Sequence, residues 1–417
     1  MTIAPKNIKL LQRITSIAFH ISTMWLVCTL MLPIDIKRPA LYAFFISFGI
    51  DWLMNMRWKN WRWTSEKWIF VAWVIFFALF PLYRIATGSD ATPIYNRMRN
   101  ACMPFVGLGL MGLLGMGKIR LKYIGYAFII TAVTAIGYIA CSLPEVAFRS
   151  FEDLTWHLNQ IRIEKVHAHM LFNLYMNCSL MMGIYILSDR TVRKWVKYLV
   201  GTATLAIFVI VFLSDGRVGF ATVNIILVAF ALVEIWRRYK RAFVPSAITL
   251  AIALCAVIWL HPRVENAPED PRLTIWKVTM QTIEERPVLG HGVAAGRERF
   301  IENGANDAEF VAHYMSPFIT DNPQANPSMM HPHNALLDSW LSFGIFGLLL
   351  MVFILIAPLI IFGMQHNIYG MGFAMAFGLQ AMFESWGAQL VPLLYTIGIV
   401  LWFYGFDRHK KSQKTKN

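Results

Sequence analysis

Residues 331–363 read "HPHNALLDSWLSFGIFGLLLMVFILIAPLIIFG". From Ala335 onward the only charge is Asp338, and the run exceeds the roughly 20 residues an α-helix needs to cross a bilayer core. It is too long for one simple crossing, so its first part is expected to be a surface helical segment or an extended helix end. The segment starts at the water boundary, with His333 at the edge and Asn334 placed to cap the helix. Gly344 and Gly347 are a small-residue pair of the kind that admits a neighbouring backbone.

The rest of the chain repeats this character. Of 417 residues, 57% are hydrophobic and 15% charged, whereas soluble domains are about half apolar and a quarter charged. Apolar runs predict spans near 14–34, 39–56, 68–86, 101–117, 122–142, 168–188, 196–214, 218–236, 243–261, 333–363, 369–384 and 388–406. The expectation is an all-α polytopic membrane protein with about twelve transmembrane helices, forming one integral membrane domain over 1–417. The first run is read as a retained helix, with no cleavage site evident. The five cysteines lie in or beside apolar segments with no CxxC spacing, which gives no disulfide framework and no cysteine metal site.

Basic residues orient the spans. Short segments such as "KIRLK" (118–122), "DRTVRKWVK" (189–197) and "RRYKR" (237–241) are dense in Lys and Arg and are assigned to the cytoplasm, with both termini. The net charge of +14 then reflects anionic lipid headgroups and need not mean nucleic acid. The longest hydrophilic stretch, 262–332, falls on the outer side as one large, partly helical loop. Within it "PRLTIWKVTMQTIEERP" (271–287) has the spacing of an amphipathic helix near the membrane surface.

Several arginines occupy the outer face, where basic residues near helix ends should be scarce: Arg84, Arg149, Arg217 and Arg272. Arg217 lies in "LSDGRVGF" (213–220), a turn so short that its charge stands at the membrane boundary and requires a negative partner. Either Asp215 or a phosphate-bearing ligand meets that need, since guanidinium grips phosphate at two points. Taken singly, Arg84 and Arg149 also read as snorkelling surface charge. Together, the arginines form the cluster that a lipid-linked pyrophosphate would require.

Two H-x-H pairs, His167/His169 and His331/His333, also fall on this side. Residues two apart on a helix diverge, and neither pair has cysteine or HxxxH company, so no metal is assigned. His333 is read as a helix-end polar residue or as an imidazole able to take a proton from an acceptor hydroxyl.

"HNALLDSWLSFGIFG" fits the pattern His-Asn, nine residues, Gly, two residues, Gly of the O-antigen ligase and polymerase superfamily of bacterial envelope glycosyltransferases, which it resembles. "LSDGRVGF" is similar to that superfamily's outer-face arginine turn, usually Ser-x-Ser-Arg-Gly, although here the arginine is displaced relative to glycine. "RLTIWKVTMQTIEERPVLGHGVAAG" (272–296) resembles its Arg…Trp…Pro-x-x-Gly-x-Gly segment.

The resemblance implies a bacterial inner-membrane glycosyltransferase with its active site facing the periplasm. It implies an undecaprenyl-pyrophosphate-linked glycan as donor, a sugar hydroxyl of lipid A–core as acceptor, inversion at the anomeric carbon, and no metal or other cofactor. His333 and Arg217 would be catalytic; Arg272, Arg84, Arg149 and Asn334 would bind substrate.

Three rivals stand beside this ligase reading. A polymerase would use a lipid-linked repeat as acceptor. A protein O-oligosaccharyltransferase usually carries more soluble sequence after the histidine segment. A transporter would show repeated halves with mid-membrane charges, and only Glu384, equally a partner for an arginine, has that character.

Overall fold

The computed structural model describes residues 5–32, 34–87, 93–116, 119–166, 169–214, 216–259, 270–321, 330–385 and 390–406. The described residues are helical, without a strand. In chain order the helices are α1 (Pro5–Thr29), α2 (Ile34–Met54), α3 (Lys67–Thr87), α4 (Pro93–Leu114), α5 (Leu121–Cys141), α6 (Phe151–Lys165), α7 (His169–Ser188), α8 (Lys194–Leu213), α9 (Arg217–Arg238) and α10 (Phe243–Trp259). They continue with α11 (Arg272–Glu285), α12 (Val293–Ala305), α13 (Ala308–Phe310), α14 (Ser316–Asp321), α15 (Ala335–Met364), α16 (Ile368–Ala381) and α17 (Leu390–Gly405).

Each apolar run expected to span overlaps one of these helices, though 14–34 runs past the end of α1. By length and composition, five helices among the described residues can cross a membrane: Leu121–Cys141, Leu171–Ser188, Lys194–Leu213, Val218–Trp236 and Ala335–Met364. Four further apolar helices are shorter. Outward faces are greasy: α1 exposes Ile14, Ile17, Ile21 and Trp25, and α2 exposes Tyr42, Ile46, Ile50 and Leu53, each set at helical spacing. Such stripes belong against lipid, since a soluble monomer rarely exposes contiguous apolar surface of this kind.

At the centre lies α7, which packs on α5, α8, α9 and α16. It buries Phe172, Tyr175, Met176 and Met181, and also Asn173 and Asn177. The two asparagines, one turn apart, hold the turn before α9. Ser214 Oγ donates to Asn173 Oδ1 at 2.5 Å, and Asn177 Nδ2 donates to Gly219 O at 3.2 Å. A Cβ at Gly216 or Gly219 would run into Asn173, so this turn needs its glycines.

The helices α11 to α14 form a small layer with its own apolar core of Ile275, Val278, Ile283, Phe300, Phe310 and Tyr314, closed by Met330 and Leu341. The amphipathic helix begins at Arg272, as its sequence implies, but its apolar face packs on these neighbours and on α15.

A break in α15 joins this layer to the rest. Gly344 adopts φ 64, ψ −158 inside the helix, a conformation essentially restricted to glycine. The strap Pro287–Gly292 docks there. His291 N–H donates to Leu341 O at 2.9 Å, Gly292 N–H to Ser342 O at 2.8 Å and Ile345 N–H to Pro287 O at 3.1 Å. The carbonyls freed by the break are thus satisfied, as buried backbone requires. Tyr83 of α3 donates from its hydroxyl to Gly290 O at 2.6 Å, tying the strap to the neighbouring helix. Gly344 therefore does admit a close backbone, but that of the strap; beyond it, Ile345–Met364 retains about the length of one crossing.

Candidate active site

The segment before α15 is not helical. Asn334 caps the helix, its Oδ1 accepting from Leu336 and Leu337 N–H at 2.9 and 3.1 Å. Its Nδ2 donates to Met382 O at 3.0 Å, which fixes the turn after α16 against the start of α15. His333 lies in the left-handed region, φ 50, a strained choice for a residue with a Cβ and one that recurs at functional sites.

That backbone turns both histidines the same way. Their ring centroids stand 4.0 Å apart, and both rings reach Glu384 in the turn after α16. His331 Nε2 is 3.0 Å from Glu384 Oε1, and His333 Nδ1 is 3.2 Å from Glu384 Oε2. The divergence expected of residues two apart on a helix does not apply, because the pair precedes the helix. One nitrogen from each ring and a carboxylate oxygen lie within 4.8 Å of one another, close enough to share a metal ion.

The charge states follow from the surroundings. Burial works to raise the Glu384 carboxyl, but hydrogen bonds from His331 and His333 overcome it and hold it at about 2. Burial lowers His331 below its ordinary value, with the field of His333 and Arg297 adding to it and Glu384 opposing. Near neutral pH Glu384 is an anion accepting from two imidazoles. In the neutral tautomer that donates to Glu384, His333 bears its proton on Nδ1 and keeps a lone pair on Nε2.

Opposite that lone pair stands Tyr314, in a π-helical turn (Val311–Met315) between α13 and α14. Its hydroxyl is 3.3 Å from His333 Nε2 and accepts from His331 N–H at 3.3 Å. Burial pushes the phenol up to about 12, so it is protonated and donates to the imidazole. Carboxylate, imidazole and hydroxyl in series are the arrangement that prepares a general base.

The sequence candidates distribute unevenly around this cluster. His333 and Asn334 are in it. Arg272 heads α11, bonding Asp270 through Nη1 at 3.1 Å, and its buried Nε has no partner among the described residues. One turn on, Trp276 packs on Phe383, the neighbour of Glu384, at 6.1 Å. Arg149 is exposed beside the short turn before α6, and no contact joins it to the cluster among the described residues. Arg217 is the first residue of α9 and Arg84 lies near the end of α3; their side chains, like Asp215 and His167, fall outside the described residues.

Sequence reasoning did not find Tyr314, for which no motif speaks, or His331 as a partner of Glu384. It also passed over Arg297, whose Nη2 is 4.0 Å from Asp338 and whose buried Nε lacks a partner among the described residues. Asn173 and Asn177 carried a readable signal, two amides one turn apart in an apolar helix.

A helical scaffold with apolar outward faces thus carries a carboxylate-held imidazole facing a hydroxyl, a geometry suited to proton transfer. A model of the O-antigen ligase family matches residues 202–352, a segment containing the arginine turn, α11 and the His333–Gly347 motif. Over that segment, about a third of the chain, the sequence is similar to the O-antigen ligase family, whose members are glycosyltransferase-like enzymes of lipopolysaccharide and polysaccharide assembly. Comparison with curated proteins gives no match.

Proposed function

We propose that this protein is an O-antigen ligase, moving a glycan from undecaprenyl pyrophosphate to a sugar hydroxyl of lipid A–core at the periplasmic face of the bacterial inner membrane. The observation that carries the proposal is His333, fixed by Glu384 through Nδ1 and facing a hydroxyl through Nε2. In the reaction the acceptor hydroxyl replaces the Tyr314 phenol at that nitrogen. Its oxygen attacks the anomeric carbon as its proton passes to Nε2. The bond from that carbon to the diphosphate breaks, the electron pair leaves with undecaprenyl pyrophosphate, and the configuration inverts. Developing negative charge on the diphosphate is met by Arg217 and Arg272, an electrostatic contribution of the kind that dominates many active sites. Arg84 and Arg149 are proposed as further substrate-binding residues, and no metal takes part.

The accompanying layout has about twelve crossings, cytoplasmic termini, and the 262–332 segment in the periplasm over the site. The arrangement of α11 to α14 above the start of α15 supports it.

The test mixes purified protein, lipid-linked glycan and lipid A–core, and follows upshifted lipopolysaccharide bands. Bands support the ligase. Lengthening of the lipid-linked glycan with no bands overturns it in favour of a polymerase with the same donor.

A further inference from the structure

Glu384, His331 and His333 hold one another in a geometry that proton transfer alone does not require. A base needs one imidazole and one carboxylate; here a second imidazole faces the same carboxylate, its ring 4.0 Å from the first and inclined to it by 40°. The nitrogens lie 3.0 and 3.2 Å from the carboxylate oxygens. Zinc binds histidine nitrogen and carboxylate oxygen at about 2.0–2.2 Å, which sets ligand atoms roughly 3.3 Å apart in a tetrahedron. The two nitrogen–oxygen distances are already near that value, and one ligand atom from each residue lies within 4.8 Å of the others.

We propose that His331, His333 and Glu384 form a binding site for one divalent transition-metal ion of the zinc type, and that its occupancy switches the transfer reaction off. The switching half rests on His333 as the base; the binding half does not.

Two imidazoles and one glutamate are a set that zinc accepts with its fourth position open. The carboxylate is the floor of the site, its side chain 4% exposed, while the imidazoles are 25% and 22% exposed and open to an arriving ion. Asn334 and the Tyr314 hydroxyl brace the surrounding backbone without an ion. The field of Arg297 opposes an added dication, and Asp338, 4.0 Å from that guanidinium, offsets part of it. Three ligands and a nearby cation make a site that fills and empties. Nitrogen donors favour zinc, copper, nickel and cobalt over magnesium and calcium.

Binding changes which nitrogen carries the proton. Without metal, His333 Nδ1–H donates to Glu384 and Nε2 is free to accept. A metal at Nδ1 takes that lone pair, so the proton of the neutral ring resides on Nε2, which then donates and cannot accept. His331 likewise moves its proton from Nε2 to Nδ1, and no proton is lost overall. Tyr314 accommodates both states: its hydroxyl also lies 3.4 Å from His331 O and can donate there while accepting from His333. The metal thus holds the base in the wrong tautomer, a condition that disables carboxylate–histidine catalysis.

The experiment uses the full chain in lipid nanodiscs, with any affinity tag removed and EDTA dialysed away. Zn²⁺ is titrated by calorimetry and Co²⁺ by its visible ligand-field absorption. One equivalent is expected to bind in each case, with Mg²⁺ silent. His331→Ala and Glu384→Gln should weaken zinc binding at least about tenfold, since even outer-shell losses cost about 10–100-fold. His331→Cys, which keeps a zinc ligand, should retain the site; helical content by circular dichroism verifies that each variant is folded.

No saturable zinc binding, or binding unchanged in both His331→Ala and Glu384→Gln, overturns the proposal. In the transfer assay zinc should inhibit over its binding range and EDTA should restore the rate. Full activity at saturating zinc overturns the switching half. A chain that binds zinc as described yet transfers nothing under any condition supports the site and contradicts the catalytic reading alone.

Discussion

Gly344→Ala strikes the joint between the loop layer and the helix that carries His333. Gly344 holds φ 64, ψ −158, and a side chain in that region costs about 1–3 kcal/mol. A Cβ there would lie 2.0 Å from Val288 O and 2.7 Å from Leu289 C, backbone atoms that cannot rotate away. The strap has to lift, giving up the bonds His291 N–H to Leu341 O, Gly292 N–H to Ser342 O and Ile345 N–H to Pro287 O. At about 0.5–1.5 kcal/mol each, these three add roughly 1.5–4.5 kcal/mol, for a total of about 2.5–7.5. Amide hydrogen exchange in nanodiscs reads this directly. Each 1.4 kcal/mol is about tenfold, so the amides of His291, Gly292 and Ile345 should exchange at least about a hundredfold faster. Gly378→Ala is the control, because its Cβ would meet nothing within 4 Å. Gly344→Ala with unchanged exchange in the strap would refute the reasoning.

Glu384→Gln removes the anion that fixes the His333 tautomer; transfer should fall about 10²–10⁴-fold with donor KM little changed, and a near wild-type rate would contradict the role. Tyr314→Phe frees Nε2 of its resting partner; steady-state kinetics should show a rate within a few fold of wild type and an acceptor KM no higher. A loss as deep as that from removing the base would make Tyr314 a proton carrier instead. On acidification, the Glu384 carboxyl, held at about 2 against an ordinary 4.5, contributes stability that is complete above 4.5 and lost as pH falls through 2. Thermal unfolding from pH 5 to pH 2 should show this slope in the wild type and a shallower one in Glu384→Gln.

Much of the architecture could be read from local pattern. The apolar runs, the start of α11 at Arg272 and the Asn334 cap are short-range facts, each dictated by residues within a turn or two. The site was legible as far as His333 and its neighbour. Its other half was not, because Glu384 reaches His333 across 51 residues, and nothing local distinguishes a carboxylate aimed at histidines from one paired with an arginine. A helical H-x-H would diverge, but φ at His333 is positive and the pair precedes the helix, so the two rings converge. Gly344 showed that something approaches closely, but a pair of glycines does not say whether a helix or a strap does.

The most direct test of the central claim is the initial rate of glycan transfer by His333→Ala beside the wild type, with hydrogen exchange verifying that the turn around Glu384 is intact. If His333 is the base, the rate falls about 10²–10⁴-fold. A folded His333→Ala protein transferring glycan at near wild-type rate would contradict it.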